Sequence, residues 1–172
     1  MVRVVTKVGD VFSVKLDNEV KKYFQLIAFD LTQLNSDVIR AFKKVYPIHA
    51  TPTLLDIVSD DVDFYAHCVT KFGIKMNLWE KVGNISDVGG TSTILFRDTD
   101  DYGVMVGEEP IKISHNWFVW HINDDKFTYV GNLEGENRKA EIGVVMPPLA
   151  IVERIKTGKY SFVYPELSLI HI

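Results

Sequence analysis

The sequence predicts an α+β fold: a mainly antiparallel, strongly curved or barrel-like β-sheet with a C-terminal helix packed against it. Three observations carry that expectation. About eight short runs, alternating in polarity or rich in β-branched and aromatic residues, are separated by Asp, Asn, Gly and Pro. Only one strong helical period stands out, after Pro147-Pro148. The 172 residues are 47% hydrophobic and 12% aromatic, enough for one contiguous core, and contain no repeat, low-complexity tract or linker, so residues 1–172 read as a single domain.

Gly9-Asp10 is a turn, and residues 11–16 alternate with period two, as a half-buried strand requires. Residues 23–29 are aromatic and branched and form the second arm of a hairpin across Asp17-Asn18. Residues 30–37 favour a turn, because Asp, Asn, Ser and Thr bond their own backbone. A third strand is expected over 38–46, ending at Pro47, and a short helix over 52–58 with Thr51 as cap and Pro52 in its first turn. Strands follow at 64–70, 79–82 and 94–97, with a flexible Gly-Gly-Thr-Ser-Thr turn at 89–93 and a solvated acidic loop over 98–110. Residues 117–122 and 127–130 flank Asn123-Asp124-Asp125-Lys126, a hairpin signal. In the C-terminal helix Leu149, Val152 and Ile155 share a face and Gly158 suits the cap. A last strand is expected over 160–164.

Composition restricts function as well. Cys68 is the only cysteine, which excludes an internal disulfide and any zinc site with two thiolates. The N-terminus lacks the apolar core of a signal peptide and no run reaches about 18 apolar residues, so a cytoplasmic protein with no membrane partner is expected. Net charge is −4, and Lys21-Lys22, Lys43-Lys44 and Arg138-Lys139 are scattered pairs rather than a basic stripe, which argues against a nucleic-acid partner.

No motif brings a reactive group together. His67 and Cys68 are adjacent, but neighbours on a strand point to opposite faces, so they do not form a nucleophile–base pair. His115 and His121 would sit roughly 20 Å apart on one strand and do not chelate a common metal. Gly89-Gly90-Thr91-Ser92-Thr93 could expose amides to an anion, yet no lysine follows at P-loop spacing. The acidic pairs lie in polar turns, where nothing desolvates one partner for acid–base work. No catalytic residue, metal or cofactor is therefore expected. What stands out is His115-Asn116-Trp117-Phe118-Val119-Trp120-His121, which puts two indoles on opposite faces of one strand: unless both faces are covered, one tryptophan is exposed. The charged loop 131–141 lies between apolar strands.

Gly9-Asp10-Val11-Phe12, Tyr23-Phe24-Gln25, Asp30-Leu31-Thr32-Gln33-Leu34-Asn35-Ser36-Asp37-Val38-Ile39, Trp79-Glu80-Lys81-Val82-Gly83 and Leu133-Glu134-Gly135-Glu136-Asn137-Arg138-Lys139-Ala140-Glu141 resemble the bacterial immunity protein family 26 of polymorphic toxin systems. The resemblance runs over about residues 7–164. It implies a mostly β domain that binds and neutralises a cognate protein toxin. The family label is also joined to a phosphotriesterase, which implies a hydrolase of organophosphate esters as the alternative; an orphan structural or regulatory module is a third reading. No catalytic residue carries over from the family. A binder needs a preorganised surface with an anchor and complementary charge, so the expected partner surface is Trp117 or Trp120 with Asp100, Asp101, Glu134 and Glu136.

Overall fold

Polarity alternation is cleanest near the N-terminus, and the first sheet forms there. In the computed structural model, which describes residues 3–101 and 107–166, β1 (Asp10–Lys15), β2 (Val20–Asp30), β3 (Ser36–Phe42), β5 (Val62–Cys68) and β6 (Glu80–Asn84) pair antiparallel in the order β5-β3-β2-β1-β6. The two-residue β4 (Tyr46–Pro47) joins β2. The second sheet runs β10-β7-β8-β9, from β7 (Leu95–Thr99), β8 (Trp117–His121), β9 (Thr128–Gly131) and β10 (Glu141–Ile142); only β10 pairs in parallel. Three helices complete the α+β architecture: α1 (Leu54–Val58), α2 (Thr70–Lys75) and the C-terminal α3 (Pro148–Thr157).

The mostly antiparallel sheet and the C-terminal helix are as expected, but no barrel closes among the described residues. The strands divide into two open sheets that are not strongly curled, so the barrel-like part of the expectation gives way to packed layers. One face of the first sheet carries Phe12, Val14, Phe24, Leu26, Ile39, Phe64 and Cys68 against Ile151 and Ile155 of α3 and against Trp79. The other face is divided. At one end Val11, Tyr23 and Phe42 pack on Ile57 and Val58 of α1, and at the other Ile27 and Val38 meet Phe96 and Trp120 of the second sheet.

Several expected boundaries move for local reasons. Residues 43–45 are all exposed, so β3 stops at Phe42 and the chain re-pairs only as β4. Thr53, not Thr51, caps α1, its hydroxyl accepting from the Asp56 amide at 3.1 Å. The strand expected to reach Thr70 ends at Cys68, because Thr70 opens α2: Asp37 of β3 accepts from its amide at 2.8 Å and from its hydroxyl at 2.5 Å. Residues 160–164 form no strand; Tyr160 and Phe162 pack on the main core and Tyr164 on the cluster around Trp117. In α3 Gly158 closes the helix in the left-handed region, as read from the sequence, but the buried face is centred on Ile151 and Ile155; Val152 is half-buried, and Leu149, expected on the same face, is 59% exposed in the first turn. No helix among the described residues is long and apolar enough to cross a membrane.

Candidate functional site

Among the described residues one imidazole–carboxylate pair is buried between the sheets, His67 with Asp30. Uninterrupted alternation along β2 would leave Asp30 on the face of Phe24 and Leu26, pointing away from His67. The β2–β3 register shifts between Leu26 and Ala28, so Ala28 pairs with Val38, and Asp30 emerges on the face of Val38's other neighbour, His67. There the Asp30 carboxylate accepts from His67 Nε2 at 2.8 Å, Trp120 Nε1 at 3.0 Å, the Asn123 amide at 3.0 Å and the Thr32 amide at 3.1 Å. Asn123 adopts a left-handed turn conformation and returns its side-chain oxygen to the Leu31 amide, so the β8–β9 turn is locked onto the end of β2. Thr32 adds a hydroxyl bond to the Asp124 carbonyl.

Both members of the pair are fully buried, and His67 Nδ1 has no hydrogen-bond partner among the described residues; Phe96 lies edge-on at 4.2 Å between ring centroids. No substrate reaches this imidazole in the folded state, so the pair joins the two sheets rather than moving protons to a ligand. Burial alone would raise the Asp30 carboxyl, but the donors from His67, Asn123 and Trp120 outweigh it and hold it at about 2, against an ordinary 3.8. The folded state thus binds the Asp30 proton more weakly than the unfolded state. Stability from this group, of order 2 kcal/mol, is complete above about pH 4 and is lost as pH falls towards 2. Urea midpoints measured from pH 5 to pH 2 should therefore fall more steeply for the unaltered protein than for Asp30→Asn; parallel slopes would refute this coupling.

Cys68 points the other way, into the core of the first sheet, as alternation requires. Burial, assisted by the Asp37 charge, pushes its thiol well above the ordinary range, so it is an inert packing group. The 89–93 segment exposes no amide cradle at its start: the Gly89 amide bonds to Asp87 Oδ1, and the loop docks on Arg40, whose Nη2 donates to the Asp87 carbonyl while Nε donates to Gln25 Oε1. Gly89 is in the left-handed region, and a Cβ there would stand 2.5 Å from Arg40 Nη1. Among the described residues no group of three or more His, Cys, Asp or Glu is placed to hold a metal ion.

The expected partner residues do not converge. Trp117 and Trp120 do point to opposite faces of β8, but both faces are covered and neither indole is available as an anchor: Trp117 lies under Leu133 and Tyr164 with its Nε1 on the Ser114 carbonyl, and Trp120 lies between the sheets. Asp100 is exposed just beyond the C-terminal end of β7, beside Phe118 and Phe127. Asp101 is half-buried, accepting from Ser114 Oγ at 2.7 Å and Asn116 Nδ2 at 3.2 Å. Glu136 sits at the other end of β7, near Leu95 and His121, and pairs with Lys139 at 3.2 Å; Glu134 is exposed at the start of the same turn. Since Leu95 and Thr99 stand roughly 13 Å apart along the strand, the four acids form two separate groups.

The accessible aromatics of this region are ones the sequence reading passed over. Phe127 and Tyr129 are 39% and 58% exposed, and Tyr129 meets Phe118 edge-on at 5.3 Å. Asp98, opposite Phe118 in the β7–β8 register, belongs to the same corner. Burial raises its carboxyl, opposed by bonds from the Thr99 amide and the Tyr164 hydroxyl. The signal for these residues was the alternation of β8 and β9 itself, which sets Phe118 and Tyr129 directly across from each other. No protein-family model, curated protein or solved structure matches the chain.

Proposed function

We propose that the chain is an immunity protein that binds and neutralises a cognate bacterial protein toxin in the cytoplasm of the cell that makes it. The observation that carries this reading is the exposed aromatic and acidic corner formed by Phe127, Tyr129, Phe118 and Asp100. Tyr129 lies on the edge strand β9, Phe127 in the β8–β9 turn, Phe118 on β8 and Asp100 just past β7, and the same turn is tied to the end of β2 by the Asp30–Asn123 bond. Large aromatics held in place bury area on binding at little entropic cost, and carboxylates beside them steer a basic partner into register. The buried His67–Asp30 pair also supports a binder, since the closest approach to acid–base machinery is spent on joining the sheets.

This reading expects a secreted protein with a C-terminal toxin domain to be encoded beside the chain; that domain is the test partner, and its absence would count against the reading. At low ionic strength Asp100→Lys is expected to lower the association rate about fivefold, the effect fading in high salt. Tyr129→Ala is expected to speed dissociation at least about tenfold. Rates unchanged in both variants would reject this corner as the interface. Failure of the unaltered chain to bind that toxin or protect cells expressing it would reject the immunity reading.

A further inference from the structure

At the end of the first sheet, the turn into β3, the start of α2 and the N-terminal segment surround a cavity of roughly 400 Å³. Asp37, the one carboxylate in its lining, lies on the face that Ile39 and Cys68 turn towards α3, and is 8% exposed. Its backbone is paired on both sides, to Phe29 of β2 and Cys68 of β5, so the carboxylate is what faces the cavity. The two oxygens differ. Oδ2 caps α2, accepting from the Thr70 amide at 2.8 Å and hydroxyl at 2.5 Å, and a 2.8 Å hydroxyl bond between Thr6 and Thr70 ties the N-terminal segment to the same point. No hydrogen bond from the described residues reaches Oδ1, and it is not among the buried side-chain atoms that lack a partner, so it is an acceptor open to the cavity.

The surroundings of this oxygen are apolar inside and basic outside. Val5, Phe29, Val69 and Val145 form the walls. Arg3 and Lys71 complete the lining as exposed residues, and none of the ion pairs among the described residues involves either. The mouth is also strained. Leu34 and Asn35 follow one another in the left-handed region, at φ 58° and 52°. The other non-glycine residues in that region among those described are Asn77 and Asn123, and asparagine adopts it far more readily than leucine. Leu34 is 85% exposed, so packing does not offset the strain. Strain of this kind persists where a particular shape is needed, and here it sets Leu34 and Asn35 into the lining of the cavity.

We propose that this cavity binds a free α-amino acid with a branched aliphatic side chain. The ammonium donates to Asp37 Oδ1, the carboxylate is met by Lys71 and Arg3, and the side chain lies against Val5, Phe29 and Val69. An ammonium and a carboxylate on one carbon match a negative floor and a positive mouth, whereas a ligand with either charge alone meets a like charge in the site. The volume is in the range of small-molecule sites. This proposal does not rest on the immunity reading or on the aromatic–acidic corner.

Calorimetric titration of the full chain with L-leucine, 3-methylbutylamine, 4-methylpentanoate and glycine tests it, since the last three lack in turn the carboxylate, the ammonium and the side chain. The expected result is saturable one-to-one leucine binding, with each of the other three at least about tenfold weaker. Asp37→Asn keeps an acceptor for Thr70 but turns an NH₂ towards the ammonium, and should weaken leucine at least about tenfold. Lys71→Gln, at an exposed position, should weaken leucine about threefold or more and leave 3-methylbutylamine no weaker. Absence of saturable leucine binding below about 5 mM would overturn the proposal. So would equal affinity for leucine and 3-methylbutylamine, or leucine affinity unaltered in both Asp37→Asn and Lys71→Gln while they retain the native circular dichroism.

Discussion

Asp30→Ala is expected to destabilise the fold by about 4 kcal/mol, read as a lower urea midpoint at unchanged slope. The magnitude follows from what the substitution leaves behind. Four donors converge on one carboxylate: the His67 and Trp120 rings and the Asn123 and Thr32 amides. Removing the acceptor strands several of them in a region water does not enter, and a stranded buried donor costs about 1–3 kcal/mol, with some relief as the chain relaxes. The loss also has a geometric side, because Asn123 and Leu31 are held together through this carboxylate and its neighbour bond. Asp30→Asn keeps an acceptor for the two amides but turns an NH₂ towards the ring donors, so it should cost roughly half as much. A cost below about 1 kcal/mol for the alanine variant would show that the sheets are joined by apolar packing alone.

That carboxylate also shows where sequence reading ends. Local patterning located β1 by its period of two, and β2, β5, β7 and the β8–β9 hairpin by aromatic or branched runs bounded by turn residues. It could not place Asp30 beside His67, because the register shift at Leu26/Ala28 reverses the facing of everything after it, and a single inserted residue leaves no mark in composition. Helix α2 escaped for a related reason. Its first turn is satisfied by Asp37 from a strand 33 residues earlier rather than by a local cap. The odd spacing of Trp117 and Trp120 correctly set them on opposite faces of β8. Whether each face was covered depended on Val38 and Phe96 on one side and Leu133 and Tyr164 on the other, and that is a matter of tertiary packing. Helix α3 was legible at its ends, from Pro148 and Gly158, and at Ile155, but its face was not fully so: the core takes Ile151 and leaves Leu149 exposed.

The same packing makes Gly143→Ala the second large effect, expected at about 3 kcal/mol. A Cβ on Gly143 would stand 2.3 Å from Trp120 Cη2, 2.5 Å from Cζ2 and 3.1 Å from Phe96 Cβ. Neither party can step aside. The Gly143 amide donates to the Arg97 carbonyl at 2.8 Å and its carbonyl accepts from Gln33 Nε2 at 2.6 Å, while the Trp120 indole is pinned to Asp30. Relief therefore means breaking the Trp120–Asp30 bond or the β7 contact, which is why the expected cost is at the upper end for an added methyl. Backbone strain is no part of this, because Gly143 is not in the left-handed region. Gly90→Ala is the control: its Cβ would meet nothing within 4 Å, and its φ is likewise unstrained, so it should change stability by less than about 0.5 kcal/mol. A double-mutant cycle separates the clash from any general cost of altering Gly143. With Trp120→Phe the indole's outer ring is gone, so the paired variant should be at least about 1 kcal/mol more stable than the sum of the single losses. Strict additivity would mean that the methyl is accommodated elsewhere and that Trp120 does not fix the separation of the two sheets.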